Sequence, residues 1–172
     1  MALGTLLLRC TVGGLFVAHG LQKLTGAFDG PGLDGATGMM ASLEMHPPRQ
    51  HAIAASSAET FGGAALVLGA GTPVAAAALI ATMTTAVRKV HLANGPWNAK
   101  GGWEFNAVLA AAAAAVVFEG PGLISVDALF KRSRWGVGAG LFAIGAGIAG
   151  SYAATEYAKR AKSAEDAAAA AE

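Results

Sequence analysis

Charge is scarce in this sequence. Asp, Glu, Lys and Arg make up only 13% of it, about half the share usual in a soluble domain. The two signs nearly cancel, and no basic arm or stripe is present, which argues against nucleic acid as a partner. Cys10 is the only cysteine, so an intramolecular disulfide, a CxxC pair and thiol redox within this chain alone are excluded. Aromatic residues are few as well. No GxGxxG follows a strand and no Walker loop occurs, so there is no nucleotide fingerprint. Haem-attachment CxxCH, a nucleophile elbow and short-spaced HxxxH or ExxH metal pairs are also missing. An enzyme made of this chain alone would need a diffusible cofactor or a partner subunit.

What remains is apolar: 54% of the residues are hydrophobic, mostly Ala, Leu and Val, and 24 glycines add to the small-residue content. Small residues suit close helix packing in lipid, where backbone approach replaces hydrophobic burial as the source of affinity. A spanning helix needs about 20 mostly apolar residues. Candidates are residues 2–24, 52–70, 73–91, 103–118 and 135–154. The first contains Arg9 and ends in His19, Gln22 and Lys23 rather than at a cleavage site, so it reads as a retained membrane helix and not a signal peptide. Gly71 and Thr72 ahead of Pro73 predict a tight turn between the second and third helices.

The expected fold is therefore an all-α membrane protein. A four-helix transmembrane bundle occupies 1–130, an additional glycine-rich transmembrane helix 131–155, and a charged alanine-rich tail 156–172. In the long connection after the first helix, Phe28-Asp29-Gly30-Pro31-Gly32 is a helix stop. Met39, Met40, Leu43 and Met45 predict a short amphipathic turn at the membrane surface, and His46 and His51 beside the prolines read as solvated. Gly136, Gly140, Ala143 and Gly147 form a small-residue seam that docks on its own bundle or on another subunit. With five spans, the positive-inside rule puts the chain start outside and the tail in the cytoplasm.

Ionisable groups inside membrane helices are costly, so each needs a reason. His19 closes the first helix, Glu59 opens the second, His91 closes the third and Glu104 opens the fourth, so helix order alone puts all four towards one side. Lys23 shares a face with His19, and Arg88 with Thr84 and His91. Trp97 and Trp103 flank the third loop, where an aromatic belt belongs. Arg9 lies roughly 15 Å deeper than His19 at the helical rise and needs a partner or a polar cavity. Three uses fit the cluster. It is structural, with Glu59 paired to Arg88 or Lys23 and Glu104 to His91. Or it is a pocket in which His19, Glu59, His91 and Glu104 pass protons, while Arg9, Lys23, Arg88 and Trp103 hold a small apolar cofactor such as a quinone. Or two histidines and two carboxylates bind a metal, a use that the missing short-spaced pairs disfavour.

These residues resemble the DoxX family of small bacterial membrane proteins. The resemblance runs from Leu6 to about Leu129. It is carried by Leu8-Arg9, Gly13-Gly14-Leu15-Phe16, His19-Gly20-Leu21-Gln22-Lys23-Leu24, the Phe28 to Leu33 loop, Glu59-Thr60-Phe61-Gly62-Gly63, Gly69-Ala70-Gly71-Thr72, Met83 to His91, Gly102-Trp103-Glu104, and Gly120-Pro121-Gly122 ahead of Ser125 and Asp127. It implies a four-helix bundle in the bacterial inner (plasma) membrane and a link to redox chemistry. Relatives include a subunit of a thiosulfate:quinone oxidoreductase and actinobacterial members of a complex handling superoxide and thiol stress. By similarity, Arg9, His19, Lys23, Glu59, His91, Trp103 and Glu104 are the residues of interest. The fifth, glycine-rich segment departs from the family pattern. The resulting expectation is a membrane subunit of an oxidoreductase system, in contact with lipid, with redox partner subunits and with copies of itself in a homo-oligomer. The alternative is a non-enzymatic scaffold that recruits partners through the glycine-rich helix.

Overall fold

The structure is a computed structural model and describes residues 2–171. Among the described residues every regular element is helical. The helices are α1 (Ala2–Thr25), α2 (Gly32–Ser42), α3 (Pro48–Leu68), α4 (Thr72–Ala86), α5 (Glu104–Glu119), the single turn α6 (Val126–Leu129) and α7 (Gly136–Ala169). α4 does not stop at Ala86; it continues through a π-helical turn, Val87–His91. All five apolar segments expected from the sequence are helices. Leu3–Thr25 and Gly136–Ala169 are each long and apolar enough to cross a membrane unaided.

α1 and α3 pack with their backbones almost touching. A methyl group at Gly13 would come within 2.6 Å of the Gly63 carbonyl oxygen, and one at Gly63 equally close to the Gly13 carbonyl. Only glycine allows that approach, which is how a chain poor in large side chains still gains dispersion contact. The α3–α4 turn follows its glycines: Gly69 (φ 62°) and Gly71 (φ 53°) both adopt the left-handed conformation, and Pro73 opens the next helix. Phe16, Leu66, Leu79, Leu109 and Val116 fill the space between α1, α3, α4 and α5.

The glycine seam of α7 packs on its own bundle. Gly140 lies against the Phe118 ring of α5, and Gly147 against Ile80 and the Ala77 carbonyl of α4, where a Cβ would come within 2.6–2.9 Å. α7 then runs unbroken past Thr155 and Glu156, so the seam and the charged tail are successive parts of one rod. Its 34 residues span about 51 Å, well beyond a hydrocarbon core of about 30 Å. Ala158 is buried with Ala36, Met40, Met45 and Ala52, so this far end of α7 rests on α2 and the start of α3. The connection expected as a short surface turn is thus an 11-residue helix, α2, folded back on α1 and α3.

The outer surface is apolar. Leu3, Leu7, Val74, Val108, Val137, Leu141 and Phe142 are all exposed, a pattern suited to lipid and unfavourable in water.

Candidate functional site

A cavity of about 600 Å³ opens between the helices at the end where α1 finishes and α4 turns into its π segment. Phe16, His19 and Lys23 of α1 and Ala58 and Glu59 of α3 supply part of the wall. α4 adds Met83, and its π turn adds Lys89 and His91. α2, α5 and α7 complete it with Met39, Met40, Phe105, Asn106, Gly150 and Ala154. Most of this surface is alanine, methionine and aromatic carbon, with a few polar groups set into it, as ligand sites require.

The central polar contact is an ion pair between α1 and α3. Lys23 Nζ donates to Glu59 Oε2 at 2.5 Å and to Oε1 at 2.7 Å. The Glu59 side chain is only 5% exposed and the Lys23 side chain 25%, so the carboxylate depends on this one partner while the ammonium also reaches the cavity. His19 Nδ1–H donates to Gln22 Oε1 at 3.1 Å. His91 Nδ1–H donates to the Gly101 carbonyl at 2.7 Å. That bond fixes the tautomer and leaves Nε2 of the neutral ring as a proton acceptor.

Of the eight candidates, His19, Lys23, Glu59 and His91 line this cavity, and Arg9, Arg88, Trp103 and Glu104 do not. Arg88 turns away to α7, where it donates to Ser151 Oγ at 3.0 Å and stacks 3.6 Å over the Tyr152 ring. The face it was expected to share with His91 assumes an α-helical register, and the π turn breaks that register. Glu104 does not pair with His91: its Oε1 accepts from the backbone N–H of Asn98 at 2.6 Å. Trp103 precedes α5, and its backbone N–H donates to the Gly95 carbonyl at 3.2 Å. Both residues close the loop beside the cavity rather than line it. Glu59 does not open α3, which starts three turns earlier at Pro48.

Arg9 belongs to the opposite end of the bundle. It is 1% exposed, and its guanidinium donates to the Pro121 carbonyl and, at 2.7 Å, to that of Ile124. The α3–α4 turn is held nearby by Asp127. One carboxylate oxygen accepts from Gly71 N–H at 2.7 Å; the other accepts from Thr72 N–H at 3.0 Å, Thr72 Oγ1 at 2.7 Å and Trp135 Nε1 at 2.9 Å. Burial alone would raise the Asp127 pKa, but these four bonds stabilise the anion and hold it below its ordinary value of 3.8. Arg9 and Asp127 thus fasten the far end of the bundle, remote from the cavity.

Sequence reasoning missed Lys89, His51 and the methionines. His51 is buried rather than solvated; it lines the cavity, donates from Nε2 to the His46 carbonyl at 3.1 Å and lies against Tyr157. Met39, Met40, Met45 and Met83 all line the cavity. Clustering of four unbranched, polarizable side chains is the one signal that pointed there, and an amphipathic surface turn accounts for three of them equally well. Among the described residues no group of three or more His, Cys, Asp or Glu is placed to hold a metal ion.

Apolar outer faces, glycine-mediated helix contacts and a polar cluster among helix ends define a helical membrane protein. The DoxX family model matches residues 4–92, just over half of the chain, and the chain belongs to the DoxX family. The match covers α1 to the π turn, and so Arg9, His19, Lys23, Glu59, Lys89 and His91; Trp103, Glu104, α5 and α7 lie beyond it. No curated protein and no solved structure matches the chain.

Proposed function

We propose that the protein is a multi-pass subunit of a redox system in the bacterial plasma membrane, and that its cavity takes a quinone-type molecule. In this reading α1, α3, α4 with its π turn, and α5 form four spans, and α7 a fifth. The chain start is outside and the tail in the cytoplasm. Lipid covers the exposed apolar residues.

The observation that carries the proposal is the apolar cavity with Lys23, Glu59, His19 and His91 set in its wall. Reducing a quinone to a quinol takes two electrons and two protons. The electrons come from a redox centre on a partner subunit. The protons come through the Lys23–Glu59 pair and the imidazoles, which are replenished from the aqueous side. The scaffold reading is less favoured, because the seam it relies on is already occupied by α4 and α5.

The test is mass spectrometry of the protein purified gently from its native membrane, beside a redox assay of the same membranes. A stoichiometric quinone that is lost in Glu59→Gln and His91→Ala, with redox output lost and the fold intact, supports the proposal. Normal output from both variants overturns it.

A further inference from the structure

The ionisable groups lining the cavity do not balance. They are His19, Lys23, His51, Glu59, Lys89 and His91. Lys23 and Glu59 neutralise each other. Among the described residues, no carboxylate lies within ion-pair distance of Lys89. One cation without an ion-pair partner and three imidazoles therefore stand in a wall that is mostly apolar, Thr82, Thr85 and Asn106 being its neutral polar side chains. A partly buried charge of this kind is costly until something of opposite sign accompanies it, and a neutral ligand leaves it as it is.

The groups are also sorted along the bundle axis. Lys23 and Lys89 stand at the ends of α1 and of the π turn. Phe16 lies seven residues before Lys23, about 10 Å further in, and Ala78 lies eleven before Lys89, about 16 Å further in. Because Glu59 neutralises Lys23, Lys89 is the net cation at the mouth, and the cavity becomes apolar further in. The four methionines give its walls side chains that adjust to a chain of no fixed shape. Its volume falls in the range of ligand sites, roughly 300–1,000 Å³.

We infer that the cavity binds an amphiphile with one acidic head and one apolar chain, the head against Lys89 and the imidazoles and the chain among Phe16, Met83 and Leu109. This rests on the cavity being the ligand site proposed above. Two sources share that chemistry: a long-chain carboxylic acid, and a quinol that has lost a proton.

The test uses the full chain in nanodiscs of zwitterionic lipid. The probes are a fluorescent polyene fatty acid and its methyl ester, with decyl-benzoquinone and its quinol as competitors. The acid is expected to bind at least about tenfold more tightly than the ester. Lys89→Gln is expected to abolish that preference and Lys89→Arg to retain it, both variants eluting as the wild type does. Equal binding of acid and ester, or a preference untouched by Lys89→Gln, overturns the inference. If decyl-benzoquinone still binds in that case, the quinone reading stands alone; if no probe binds, both fall. Where the acid is preferred, stronger competition by the quinol than by the quinone assigns the site to a quinol. No competition by either assigns it to a carboxylic acid, and the quinone reading falls while the inference holds.

Discussion

The Lys23–Glu59 pair separates a structural role from a functional one, because its two ends are unequally buried. Lys23→Met leaves Glu59 nearly buried and without its ion-pair partner. Stranding one end of a buried pair costs about 3–5 kcal/mol, and the lower end applies here because Glu59 borders an open cavity. Glu59→Gln is milder. The amide still accepts one bond, and the Lys23 side chain is 25% exposed, so about 1–2 kcal/mol is lost. At roughly 2–4 °C per kcal/mol for a chain of this size, Lys23→Met should lower the unfolding temperature in micelles by about 6–12 °C and Glu59→Gln by about 2–8 °C. The double variant Lys23→Met/Glu59→Gln should be more stable than the sum of the singles by about 1–3 kcal/mol, because neither partner is then left charged and alone. Under the proposed function, all three lose quinone-dependent output even where stability returns. The reasoning is refuted if Glu59→Gln destabilises more than Lys23→Met, or if the two singles simply add.

Asp127→Ala removes the acceptor of four donors and should cost about 3 kcal/mol at pH 7. Because the folded-state pKa lies below 3.8, this contribution is complete above the unfolded-state value and disappears as pH falls through the folded one. Thermal scans of wild type and variant should therefore differ most at pH 7 and draw closer as the pH falls below the ordinary carboxylate range. Arg9→Lys replaces a fork reaching two carbonyls with a single point donor, costing about 1.5–3 kcal/mol; probe binding in the cavity should be unchanged, as checked by titration of the variant in nanodiscs. Gly147→Leu meets Ile80 and the Ala77 carbonyl and should cost about 1–3 kcal/mol, whereas Gly145→Leu, facing open space, should stay within about 1 kcal/mol of wild type. Thermal unfolding of the pair reads the difference.

The helices were legible because each is an apolar run bounded by Gly, Pro or a charge, and these punctuators act locally. Neighbours in the bundle followed from the turns: Gly69 and Gly71 force α3 against α4. Meeting of Lys23 with Glu59 was legible as one of two options, since helix order brought both towards one end. Faces were harder. Arg88 and His91 share a face only while the helix keeps 3.6 residues per turn, and both lie inside a π turn, whose wider winding changes the angle between them. No residue type in Val87–His91 announces that turn. Glu104 was unreadable for another reason: its acceptor is claimed by the backbone of Asn98, a loop contact with no periodic signature. His51 and Met40 are buried by α7, whose path back over α2 depends on where a 34-residue rod happens to point.

The cavity divides along the same line as the family match. Lys23, Glu59, Lys89 and His91 lie within residues 4–92, on helices held together by the glycine contacts of α1 with α3 and the short turn into α4. Those contacts allow little variation, because any side chain larger than hydrogen at Gly13 or Gly63 pushes two backbones apart. Phe105, Asn106, Leu109, Gly150 and Ala154 come from α5 and α7, beyond the match. They shape the wall and offer one polar contact: Asn106 donates to the Met83 sulfur at 3.5 Å. In the proposed complex the family portion would thus supply the charge that a ligand's head meets and, with Phe16 and Met83, much of the wall around its chain, to which α5 and α7 add Leu109, Gly150 and Ala154. Changes at Gly150 or Ala154 should alter which chain lengths bind, with the preference for an acidic head left intact.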